Sequence, residues 1–184
     1  MATELTIFND REYTIEDYMK IDDGQRYELI GGELIMVPSP KPRHQRVSAK
    51  ISFQFESFLR QNPLGEVYYA PIDVVLGDQV VQPDIIFISD NRLNIVGELN
   101  IQGAPDLVIE VLSPSTASYD KKKKGQIYLK YGVKEYWTVD IDAKIIDVYK
   151  VGEKQWQWLG SYDEEDTITT QLIPGLEIKL NEIF

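Results

Sequence analysis

The clearest helical period in the chain runs from about His44 to Gln61, where Val47, Ile51, Phe55, Phe58 and Leu59 recur three or four residues apart and fall on one stripe. That spacing predicts a main helix packed on a sheet. Pro38, Pro40 and Pro42 delay its start, and Pro63 and Gly65 stop it. Ahead of it, Tyr27 to Ile30 and Glu33 to Val37 flank Gly31 and Gly32, which predicts a β-hairpin. Tyr13 to Met19 predicts a short helix with Thr14 as its N-cap and Asp17 in its first turn. Beyond the main helix, Val67 to Leu76 and Val80 to Ser89 read as two extended runs joined by a turn at Gly77 and Asp78, and Asp90 to Pro105 as a polar excursion. Leu107 to Leu112 is almost continuously apolar, the pattern of a central strand covered on both faces. Tyr119 to Tyr131 then predicts a helix closed by Gly132, followed by strands Glu135 to Val139 and Ile145 to Val151. Short β-like pieces, an acidic turn and a Pro174-Gly175 turn fill the rest. The length and apolar content, with no internal repeat, predict one compact domain spanning residues 1–184.

Two acids break the apolar runs. Asp84 opens Ile85-Ile86-Phe87-Ile88, and Glu110 sits inside Leu107 to Leu112. A buried carboxylate must be paired, protonated or bound to a cation. Neighbouring strands roughly 4.8 Å apart would bring both acids to one hard cation, and oxygen ligands favour Mg2+ or Mn2+. Asp106 competes for the first position, but four residues along one strand put it about 13 Å from residue 110. The plain alternative for Glu110 is a structural ion pair with Lys124. Trp137, Trp156 and Trp158 read most simply as core or interface residues.

Charge complicates the picture. A net charge of -11 and a pI near 4.6 argue against a dedicated nucleic-acid binder, since phosphate affinity depends on Lys and Arg. Charge acts locally, however, and Lys121 to Lys124 form the densest basic spot. The absence of cysteine excludes disulfides, thiolate zinc and a cysteine nucleophile, and fits a cytoplasmic setting. Neither a signal peptide nor a membrane-spanning run is expected.

Several segments together resemble the PD-(D/E)XK nuclease superfamily, and within it a restriction-endonuclease family abundant in cyanobacteria and long filed as a domain of unknown function. They are Tyr27 to Leu34, His44, Pro83-Asp84, Pro105 to Ser115, Asp120 to Lys124, Tyr128 to Val133, Glu135-Tyr136-Trp137 and Pro174-Gly175-Leu176. The resemblance implies an α/β, restriction-endonuclease-like fold with a mixed central sheet flanked by helices, and with the N-terminal hairpin and C-terminal β pieces as additions. It also implies divalent-metal-assisted hydrolysis of phosphodiester bonds in DNA. Asp84 and Glu110 take the metal-ligand positions, with the main-chain carbonyl of Val111 as a further ligand. The family lysine would stand two residues after the glutamate, where this chain has Leu112. Lys124, one helical turn before Tyr128, is the candidate substitute, and Lys121, Lys122 and Lys123 point around other faces of that helix. The family motif also puts His44 near the site and ranks Glu28 above Glu33 as an outer carboxylate, although alternation along a strand turns both toward solvent. Cutting two strands by symmetry predicts a homodimer. The rival reading is a nuclease fold without catalysis, serving as an interaction scaffold.

Overall fold

Residues 6–8, 11–112 and 123–184 are described by the computed structural model. A short strand β1 (Thr6–Phe8) precedes helix α1 (Ile15–Tyr18), the hairpin β2 (Tyr27–Ile30) and β3 (Glu33–Met36), and the long helix α2 (Pro42–Leu59). Four strands follow: β4 (Gly65–Tyr69), β5 (Val74–Leu76), β6 (Gln79–Val81) and β7 (Ile85–Ser89). After a 3-10 turn at Asp90–Ile95 come β8 (Ile101–Gln102), β9 (Leu107–Leu112), helix α3 (Gly125–Tyr131), β10 (Glu135–Asp140) and β11 (Ile145–Val151). β12 (Trp156–Tyr162), β13 (Thr167–Thr169) and β14 (Glu177–Lys179) close the chain.

The central sheet has the order β12-β11-β10-β9-β7-β4, and β9 lies in its interior. β9 pairs parallel with β10 and antiparallel with β7, so the sheet is mixed. All six residues of β9 are buried, as its apolar run requires. Alternate residues serve opposite faces. Ile85, Phe87, Leu107, Ile109, Val111 and Trp137 pack with the α2 stripe Val47, Ile51, Phe55 and Leu59 and with the C-terminal Ile178 and Leu180. Ile86, Ile88, Val108 and Tyr136 point the other way. There they meet Tyr128 of α3 and a second mixed sheet ordered β1-β3-β2-β6-β5-β8. α1 covers the far side of that second sheet through Tyr18, Tyr27 and Leu29. The molecule thus has the predicted helix-flanked mixed sheet, with a second sheet built from the hairpin region.

Several boundaries moved. α2 begins at Pro42 rather than near His44, because proline is accepted at the first helical position, where its missing N–H would have no partner. The runs from Val67 to Ser89 form four strands. Pro71 and Pro83 interrupt the two ladders, and between them β5 and β6 cross to the second sheet while β4 and β7 pair in the central one. The Gly77-Asp78 turn joins β5 to β6 as expected. Part of the polar excursion is regular, since β8 pairs with β5. Glu28, expected to face solvent, is buried because α1 and the central sheet cover both faces of β2. Trp137 is a core residue, whereas Trp158 is exposed on β12, the edge strand. The predicted residues Ser113 to Ser115 and Asp120 to Lys122 lie outside the described part.

Candidate active site

Asp84 just ahead of β7, Glu110 on β9, Glu28 on β2 and Lys124 just ahead of α3 are the charged side chains of the candidate site. The β7–β9 register pairs Ile85 with Ile109, and one step further sets position 84 opposite position 110. Asp84 keeps extended pairing beyond β7, its carbonyl accepting from the Ala70 amide at 2.9 Å. Its carboxylate turns toward β9, where Oδ2 accepts from the Val111 amide at 2.8 Å, and His44 at the start of α2 approaches the same oxygen through Nε2 at 3.3 Å. Asp84 is therefore fixed beside the residue that follows Glu110.

Glu110 points to the face covered by α3. Its Oε1 lies 3.1 Å from Lys124 Nζ and accepts a hydrogen bond of 2.5 Å from the Tyr128 hydroxyl. Burial, and after it the Glu110 charge, raise the Tyr128 hydroxyl well above its ordinary value, so it remains a donor. Lys124 also reaches Glu28 Oε1 at 2.8 Å. Glu28, Glu110 and Lys124 are each 5% exposed or less, so one ammonium faces two carboxylates with little help from water. The Gln82 amide donates to the same Glu28 oxygen at 2.7 Å, and the Gln82 side chain ties this strand end to Asp73, to which the Tyr18 hydroxyl also donates.

α3 presents Lys124 through a close seat. A π-type turn at Lys123 and Lys124 leads into the helix. Gly125 follows, and its carbonyl accepts from Trp156 Nε1 at 2.7 Å. A Cβ on Gly125 would come within 3.3 Å of the Tyr136 ring. At the other end, Gly132 closes α3 with φ at 91°, a left-handed conformation that suits glycine. Four residues apart, Lys124 and Tyr128 stand on one helix face and converge on Glu110. Lys123 faces away and pairs with Glu33 at 2.9 Å.

Asp106 lies at the opposite end of β9. Burial alone would raise its carboxyl, but Lys134, Ser89 and Arg92 outweigh it and hold the group down at about 2. Arg92 and Lys134 reach it at 2.8 and 2.6 Å.

The residues that could hold a cation are Asp84, Glu110 and the Val111 carbonyl. All are hard oxygen donors. Among the described residues no three His, Cys, Asp or Glu side chains form a ready-made cage. This donor set fits Mg2+, which takes one or two carboxylates and completes its shell with water and substrate phosphate. Sequence reasoning missed Tyr128 as a donor to Glu110, and Gln82 and Asp73 as supports. The spacing of Lys124 and Tyr128 was the one available signal for the first.

The chain has relatives. It is 25% identical over 160 residues, 78% of this chain and 84% of the other, to an uncharacterized protein of Synechocystis sp.. The crystal structure of a "putative nuclease belonging to DUF820" from Anabaena variabilis superposes with a TM-score of 0.79 at 21% identity, covering 94% of this chain and 97% of that one, which is likeness of fold. The family model described as "Uma2: Putative restriction endonuclease" matches residues 15–181. With nearly all of its length inside that match, the chain belongs to the Uma2 family of restriction-endonuclease-like proteins.

Proposed function

We propose that this chain is a divalent-metal-dependent endonuclease that hydrolyses phosphodiester bonds in DNA, with Asp84, Glu110 and the Val111 carbonyl as metal ligands and Lys124 as the assisting cation. The observation that carries the reading is the β7–β9 register that sets Asp84 opposite Glu110, with the Asp84 carboxylate turned to the Val111 amide. A bound Mg2+ or Mn2+ would polarise the scissile phosphate and acidify the attacking water. Lys124 orients that water and offsets charge developing on the phosphoryl oxygens. Glu28 holds the ammonium in place, Tyr128 fixes the Glu110 rotamer, and His44 steadies Asp84. Leu112 leaves the usual lysine position apolar, so the ammonium comes from the next helix in sequence. Two copies cutting opposite strands would act as a homodimer, which sedimentation at working concentrations would test.

With Mg2+ or Mn2+, the wild-type protein should nick or linearise supercoiled plasmid, and Asp84→Ala and Glu110→Ala should each be slower by at least about a hundredfold. Plasmid and single-stranded DNA left intact by the wild type, or undiminished cutting by both variants, would overturn the proposal. One observation favours a scaffold role instead: Lys124 is already neutralised by two buried carboxylates, as in a structural ion cluster. A wild-type protein that takes up neither metal would support that second reading.

A further inference from the structure

A groove of 480 Å³ runs between α2 and β4, the edge strand of the central sheet, and ends at Asp84. Its floor is made of small residues, Ser48, Ala49 and Ser52, and its walls include Phe53 and Tyr69. Both aromatic side chains are largely exposed, 68% and 60%, although neither belongs to a hydrophobic cluster of the fold. Two exposed rings lining one groove offer apolar surface of the kind that interaction sites use.

The charge of the same element suggests what binds there. From Lys41 to Arg60 the chain carries Lys41, Arg43, Arg46, Lys50 and Arg60 against the single acid Glu56, within a protein where Asp and Glu outnumber Lys and Arg by 30 to 19. Two of these cations are occupied by the fold, Arg43 with Asp142 and the Ile141 carbonyl, Lys50 with the Ile183 carbonyl. Arg46 is exposed one turn before Ala49 and two before Phe53, and Arg60 closes the groove with only a 4.0 Å approach to Glu56. The groove lining itself joins Arg60 with two acids, Glu56 and Asp84, so the cations open to a strand are Arg60 and, beside the groove, Arg46. Exposed aromatic faces near such cations are what an unpaired nucleic-acid strand binds, because a base can stack only when it is free of its partner. A duplex would present phosphates to the cations but leave the rings unused.

We infer that the α2–β4 groove holds one nucleic-acid strand where it is locally unpaired, with a base stacked on Phe53 or Tyr69 and its phosphates near Arg46 and Arg60, so that this strand, free or opened from its complement in a plasmid, leads to Asp84. This rests on the nuclease reading for what happens at the end of the groove, but not for the binding itself.

Fluorescence anisotropy of a fluorescein-labelled poly(dT) of about twenty nucleotides, with EDTA present to prevent cutting, separates the two. Phe53→Ala combined with Tyr69→Ala should weaken binding by at least about tenfold, and Arg46→Ala with Arg60→Ala should flatten its salt dependence. Trp158→Ala, which removes an exposed ring elsewhere, should change neither, and the groove variants should keep the wild-type melting temperature because the rings are exposed. Equal affinity of wild type and the Phe53/Tyr69 variant, or binding of a matched duplex at least as tight as the single strand, would overturn the inference. Failure of the nuclease reading would look different: strand binding lost in the groove variants, but no cutting by the wild type with either metal.

Discussion

At the scale of single residues, Lys124 carries the greatest load, since one ammonium lies within 3.1 Å of two buried carboxylates. Lys124→Met should therefore destabilise the protein by roughly 3–5 kcal/mol, because two buried carboxylates would lose the ammonium that lies 2.8 and 3.1 Å from them. Urea denaturation measures this, and an unchanged midpoint would show that the cluster is not charged as described. Tyr128→Phe removes one donor to a buried carboxylate and should cost about 1.5–3 kcal/mol in the same experiment. Asp106 makes a pH prediction. Its folded carboxyl titrates at about 2 against an ordinary 3.8, so its contribution is complete above pH 4 and lost as the pH falls toward 2. The amount is roughly 2 kcal/mol, and Asp106→Asn should flatten this part of the acid stability curve. Asp84 and Glu110 stand out in sequence because an acid that opens or interrupts an apolar run has few explanations. Glu28 was harder to read. Alternation places it outward, yet Tyr27 to Ile30 is buried throughout, and the covering layers come from distant segments.

At the scale of elements, the edge pair β4–β7 depends on Gly65. A Cβ there would lie 2.2 Å from the Ile88 carbonyl oxygen and 2.8 Å from the Ser89 Cα, and φ is 153°. Since both obstacles are backbone, Gly65→Ala must spread the two strands and should cost about 1–3 kcal/mol, read from the thermal unfolding midpoint. A midpoint within error of wild type would mean that the edge adjusts freely. The hairpin, α2, β9 and β10 are legible because each has one period and clear stop residues. The segment Val67 to Ser89 is not, because the strand pattern continues while the chain changes sheets. Pro71 and Pro83 mark the crossings, but sequence does not say which sheet each piece joins. No helix among the described residues is long and apolar enough to cross a membrane.

At the scale of the whole molecule, net acidity and a nucleic-acid substrate are compatible because charge is unevenly placed: α2 with its flanks is basic, and the acids lie mainly elsewhere. A TM-score of 0.79 at 21% identity means that the architecture persists through replacement of most side chains, as expected when layers and patterning rather than particular residues specify a fold. What distinguishes this molecule's proposed chemistry is the placement of Asp84, just ahead of β7, opposite Glu110 of β9, whose carboxylate Lys124 reaches from the turn before α3. Calorimetric titration of Mn2+ into the wild type and into Glu110→Ala tests that claim most directly. The account predicts saturable heat for the wild type and at least tenfold weaker binding for the variant. A wild type that takes up no metal, or a variant that binds it equally well, would contradict it.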